Sequence, residues 1–185
     1  WSIGVTLVGL GPTTGDNKMM TLFSNGNNAI FLRRGGTNWG MYVTGDANLQ
    51  HGANTWYAPN ATSRLLFTYD ATSYRLKYYL GDPASGTYAM RANLLVNSNT
   101  RVNQVGTSLC VGKAVSTNIG GIAWDGGVNN LIISDQTLVG PQVDEFFQTG
   151  EDFTTHEYYP DLTSYARLGE DTYPAVVDSK GNATG

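Results

Sequence analysis

Four glutamates, Glu145, Glu151, Glu157 and Glu170, are the only ones in the chain. Hydrolysis of a glycosidic bond needs two carboxylates held at a fixed separation across one sugar, one attacking or stabilising while the other donates a proton. Residues at close, even spacing on a single strand provide that arrangement. None of these glutamates lies two to five residues from another, so the spacing argues against a glycosidase. His51 and His156 are far apart and lack both cysteine partners and a His-x-x-x-His spacing, which leaves zinc without a ligand set. Neither a Gly-x-Ser-x-Gly elbow nor a phosphate loop with lysine occurs. No catalytic residue is assigned, and the chain is not expected to be an enzyme.

The aromatic residues are better placed for chemistry of a gentler kind. Sugar C–H faces stack on Trp and Tyr rings, while Asn, Asp and backbone amides take the hydroxyls. The chain holds 4 Trp and 11 Tyr, enough to build such a platform. Trp56 and Tyr57 lie in the turn-rich stretch 47–62 with Asn54 and Asn60 beside them. Tyr42 and Tyr79 sit opposite the apolar faces of their strands. These six residues are the candidates for glycan binding. The rival reading makes the same aromatics contacts to another subunit, because Tyr and Trp are enriched at protein interfaces too.

The scaffold that must position them is legible in composition. The chain has 185 residues, 41% of them hydrophobic and only 14% charged, with 23 Gly. That is about one domain with a real core, and its shortage of Lys and Glu disfavours a helical bundle. The net charge is −4 and the basic residues are scattered, so nucleic acid is not an expected partner. No apolar run reaches the 18 or so residues of a membrane helix, and membrane insertion is not expected. Cys110 is the single cysteine and reads as a small buried hydrophobe. The chain opens at Trp1 without a basic segment followed by an apolar stretch, so no signal peptide is visible, and its ends read as part of something longer.

Period-2 alternation predicts strands. Trp1, Ile3, Val5 and Leu7 alternate with small or polar residues. Segments 19–23 and 29–33 flank an Asn-Gly turn, and 39–43 follows. The clearest pair is a hairpin, with Leu65, Phe67 and Tyr69 on one face and Tyr74, Leu76, Tyr78 and Leu80 facing the same core. It is expected to have one dry and one wet face. Further strands are expected at 88–90, 94–96, 108–111, 130–133 and 175–177. Pro141 suits a first helical position, Asp144 and Glu145 favour the first turn, and Gly150 stops a helix of about two turns. His51 is expected to be an exposed loop residue. The fold class is therefore all-β, an antiparallel sandwich or barrel with one short helix.

The segment Tyr78-Tyr79-Leu80-Gly81, the strand from Gly127 to Ile132 and the Leu138–Phe147 helix resemble the concanavalin A-like, laminin G-like jelly rolls. The resemblance spans about residues 1–150, leaving 151–185 as a C-terminal extension that packs on the same domain or docks on a neighbouring subunit. Glycosidases of that superfamily carry runs such as Glu-x-Asp-x-Glu, which this chain lacks. Relatives often hold calcium near one rim, which implies Asp125, Asn129 and Asn130 as oxygen ligands. Otherwise no cofactor is expected. The bland reading of the same three is turn chemistry.

The segment 162–181, with Leu168-Gly169-Glu170-Asp171-Thr172-Tyr173-Pro174, is similar to the tail that follows such jelly rolls in structural proteins of tailed bacteriophages. That likeness implies a non-enzymatic virion component, a capsid or tail decoration, fibre or adhesin that binds other virion subunits, forms homo-oligomers and adheres to cell-surface glycans. The alternatives are a secreted lectin or carbohydrate-binding module, and a repeat subunit of an extracellular filament. All place the chain on a virion or an extracellular surface.

Overall fold

The computed structural model describes residues 1–10, 19–25, 28–35, 38–43, 50–53, 62–95, 110–111, 126–148, 150, 152–167 and 180. One sheet is built from β1 (Ser2–Leu10), β6 (Ser63–Asp70), β7 (Arg75–Asp82), β8 (Thr87–Leu95), β10 (Gly126–Ser134) and β11 (Ser164–Ala166). Its order is β11-β10-β1-β6-β7-β8. The other holds β2 (Met19–Asn25), β3 (Asn28–Gly35), β4 (Asn38–Val43), β5 (Gln50–Ala53) and β9 (Cys110–Val111) in the order β5-β4-β3-β2-β9. Neighbouring strands are antiparallel throughout. The one α-helix among the described residues, α1 (Pro141–Phe146), follows β10.

The six-stranded sheet is covered on both faces. Val5, Leu7, Leu65, Phe67, Leu76, Tyr78 and Leu80 share its inner face and are at most 5% exposed. Burying each of the larger ones stabilises the fold by about 1.5–3 kcal/mol. The opposite face carries α1. The architecture is the all-β antiparallel sandwich that the strand pattern predicts.

The outer face was expected to be wet, and along β6 it is dry. Arg64, Leu66 and Thr68 are as buried as their inward-facing neighbours. The reason is a second core laid over that face, in which Leu66 and Ile132 of the sheet meet Leu138, Val143, Phe146 and Phe147 of the helical segment. Phe153, Tyr158, Leu162 and Tyr165, which follow, complete it. Residues 152–167 thus pack on their own chain, through two short 3-10 turns, Phe153–Thr155 and Tyr159–Asp161, and through β11 on β10. Lys180 returns to the same place, its Nζ donating to the Tyr159 carbonyl at 3.0 Å and sitting over that ring.

Close approach of the helix requires glycine beneath it. A Cβ at Gly4 would lie 2.6 Å from Phe146 and 2.9 Å from Ile132, and one at Gly81 would run into the Phe147 ring and lie 2.8 Å from the Thr87 carbonyl. Ser2 ties the chain before α1 to β1, its hydroxyl accepting from the Leu138 N–H at 2.8 Å and donating to the Gln136 carbonyl at 2.9 Å.

Three strand expectations change. The expected segments 88–90 and 94–96 fall, as far as Leu95, in one strand, β8, whose alternation breaks at a bulge at Arg91 between the Tyr79–Met90 and Tyr78–Ala92 pairs; residue 96 lies outside the described residues. His51 belongs to β5 and pairs with Met41. Its segment, Gln50-His51-Gly52-Ala53, lacks the β-branched and aromatic residues that mark a strand, and the pairing with β4 supplies what propensity does not. β11 is too short to show a period. The expected strand 175–177 lies outside the described residues.

Candidate functional site

Tyr79 is the expected glycan residue whose surroundings are described. It points to the outer face of β7, beside the helical core rather than under it, and is half-buried. Burial raises its phenol above the ordinary value, partly offset by a side-chain hydrogen bond with Thr68. The next strand places Tyr88 against it, the rings edge to face with centroids 6.1 Å apart. Tyr88 is itself fixed from behind. Its ring stacks on Phe147 at 4.6 Å and 12°, and its hydroxyl donates to Asp144 Oδ1 on α1. That bond to a carboxylate, with burial second, pushes the Tyr88 phenol up to about 12.

The turns that set this register are local. Asp82 Oδ1 accepts from the Ala84 N–H at 2.9 Å and Oδ2 from the Ser85 hydroxyl at 2.9 Å, while Gly86 takes φ 69°. The hairpin so closed pairs Gly81 with Tyr88 and Tyr79 with Met90. Around the aromatic pair, Lys77 and Asn93 are cross-strand partners on the same face, with Met90 beside them. The surface is aromatic, rigid and edged by hydrogen-bond donors. Its carboxylate, Asp144, is engaged by Tyr88.

The other expected glycan residues do not join Tyr79 here. Tyr42 lies in β4 of the other sheet, between Phe31 and Gln50. Asn54, Trp56, Tyr57 and Asn60 lie outside the described residues. Of the three calcium candidates, Asn129 and Asn130 sit on β10, three strands from Tyr79. Asp125 lies outside the described residues, and half-buried Asn129 uses its Oδ1 to accept the Asn130 N–H at 2.8 Å. Asn130 adopts φ 50° at the bulge opposite Val5, and its buried side-chain amide has no hydrogen-bond partner among the described residues. Among the described residues, no three His, Cys, Asp or Glu side chains gather as a metal cluster would require.

Tyr88, Lys77, Met90, Asn93 and Asp144 were not singled out by sequence. Counting back across the Asp82–Thr87 turn from Tyr79 reaches Tyr88 and Met90, so the hairpin itself was the available signal. Asp144 was visible as a helix-start residue and not as a partner for a phenol.

No protein-family model and no curated protein sequence matches the chain. Solved structures do resemble it. A "putative carbohydrate binding protein" from Bacteroides ovatus ATCC 8483 superposes over 100% of this chain and 51% of its own, with a TM-score of 0.64 and 14% identity. The chain therefore spans about half the length of that protein. The CBM40 of the Ruminococcus gnavus IT-sialidase covers 80% of this chain and 82% of its own, with a TM-score of 0.51 and 12% identity. At such identities the likeness is one of fold, and the fold is a β-sandwich shared with these proteins.

Proposed function

We propose that this chain is a non-catalytic carbohydrate-binding module acting at an extracellular surface, and that it holds glycan on the outer face of β7 and β8. The observation that carries the reading is the Tyr79–Tyr88 pair, presented beside α1 and locked from behind by Phe147 and Asp144. A fixed aromatic surface stacks on a sugar with little ordering cost, while Lys77 and Asn93 supply donors to its oxygens. Support comes from the two structural relatives, one named as carbohydrate binding and the other as a CBM40.

The virion role, with homo-oligomers and other virion subunits as partners, rests on the likeness of residues 162–181, most of which lie outside the described residues. The carbohydrate-binding alternative is the one the fold favours. Calcium at Asp125, Asn129 and Asn130 belongs to the same proposal as a rim site distinct from the aromatic one.

The test is a glycan array followed by titration calorimetry, with and without a calcium chelator, on the wild type and on Tyr79→Ala, Tyr88→Ala and Trp56→Ala. Binding lost in the first two variants, with melting temperature checked, supports the assignment. Binding lost only in Trp56→Ala moves the site to the stretch 47–62. Silence across the array overturns the function.

A further inference from the structure

Resting on the carbohydrate-binding reading, we infer that the ligand is the interior of a linear polysaccharide, laid along β8 over several sugar units rather than entering by one terminal sugar. Tyr88, Met90, Asn93 and Leu95 all face the same side of this strand as Tyr79 and Lys77, because their pairing partners Gly81, Tyr79, Lys77 and Arg75 do. Tyr88 is 37%, Met90 51% and Leu95 54% exposed, so apolar surface continues well past the aromatic pair. From Tyr88 to Leu95 the row runs roughly 20 Å at about 3.3 Å per residue.

A site for one terminal sugar gathers its polar groups around a single point. Here they are strung out. Asp144 stands at the Tyr88 end, and Lys77 with Asn93 lies midway between Met90 and Leu95. The succession of apolar contacts and polar groups along this bulged edge strand matches a polymer that repeats ring faces and oxygens. Exposed apolar side chains in such a row also mark interfaces, and a second copy of this chain is the competing occupant.

The experiment measures affinity for ladders of two to six units from cellulose, xylan, mannan and alginate, with α2,3-sialyllactose as a terminal-sugar probe. It uses the wild type and Leu95→Ser, an exposed position with little effect on folding. The expected result is an affinity that rises about tenfold or more from two units to six in one ladder. Leu95→Ser then weakens the six-unit ligand several-fold and leaves the two-unit ligand unchanged. Equal affinity for short and long ligands, or sialyllactose bound best, overturns the extended mode while the carbohydrate function stands. No binding by any probe overturns the function beneath it. Light scattering closes the remaining route: a wild-type dimer that Leu95→Ser converts to monomer assigns the row to a second copy.

Discussion

The ring of Tyr88 lies face to face on that of Phe147, with centroids 4.6 Å apart and planes 12° from parallel. Tyr88 comes from the edge strand and Phe147 from the end of α1, so this contact joins the candidate binding surface to the helical core. Phe147 is in turn held edge-on by Phe146 at 4.9 Å, and both are fully buried. The candidate surface therefore takes its rigidity from a core that the sheet alone does not provide.

The first prediction concerns the phenol of Tyr88. Its value in the folded chain is about 12 against 10.0 ordinarily, chiefly because its proton is shared with Asp144. The raised value means the folded chain keeps a proton that the unfolded chain loses. The stabilising effect is whole below pH 10 and is lost as pH rises towards 12. Tyr78, pushed up to about 12 by burial, adds to the same alkaline loss. Absorbance titration of the tyrosinates in Asp144→Asn is expected to show one phenol moved down towards 10, with the others unchanged. An unaltered curve shows that Asp144 does not hold Tyr88.

Arg64 provides the second. It is fully buried on β6, and its guanidinium donates to the carbonyls of Phe146, at 3.0 Å, and of Gln148 and Gly150. It also lies 5.0 Å from the Phe153 ring centroid. The first of these carbonyls belongs to the last residue of α1, where a cation offsets the helix dipole and satisfies an acceptor that the helix leaves open, and the other two lie in the chain that follows. Arg64→Met is expected to lower stability by about 3 kcal/mol or more, because the buried Phe146 carbonyl and two part-buried ones lose a charged donor together. Arg64→Lys is expected to recover little, since one ammonium does not reproduce the fork. Urea denaturation checks both; a loss below about 1 kcal/mol in Arg64→Met removes the assigned role.

Arg64 also shows what sequence reading could reach. Alternation from Leu65 to Leu80 marks a hairpin and identifies its inner face, because a period of two follows from strand geometry alone. Nothing in that pattern says that the opposite face is covered. The covering residues come from 138–165, more than fifty positions on, and pack through aromatic contacts such as Phe146 on Phe153, stacked at 5.4 Å. Tyr79 could be proposed because it stood opposite an apolar face. Tyr88 lay within reach of the same reading, since the Asp82–Thr87 turn pairs it with Gly81 ahead of the bulge at Arg91, but its anchorage on Phe147 and Asp144 is long-range and leaves no local pattern. The helix was recognisable from Pro141 and Asp144, whose signals are local.

The third prediction comes from two successive turns built to one plan. Asp70 accepts from the Thr72 N–H at 2.9 Å and the Ser73 hydroxyl at 2.5 Å, as Asp82 does from Ala84 and Ser85, each at 2.9 Å. The next residue then enters the left-handed region, Gly86 at φ 69° and Tyr74 at φ 54°. Glycine meets no steric penalty there, whereas an ordinary side chain costs about 1–2 kcal/mol. Tyr74 is 41% exposed, so little packing offsets that cost. Tyr74→Asn is expected to stabilise the chain by a few tenths to about 1 kcal/mol, since Asn tolerates this backbone and leaves the unfolded chain no looser. Gly86→Tyr is expected to destabilise by about 1–2 kcal/mol for the converse reason. Thermal melts of the two variants beside the wild type decide the matter: a lower melting temperature for Tyr74→Asn means that the Tyr74 ring makes a contact worth more than the strain of its backbone.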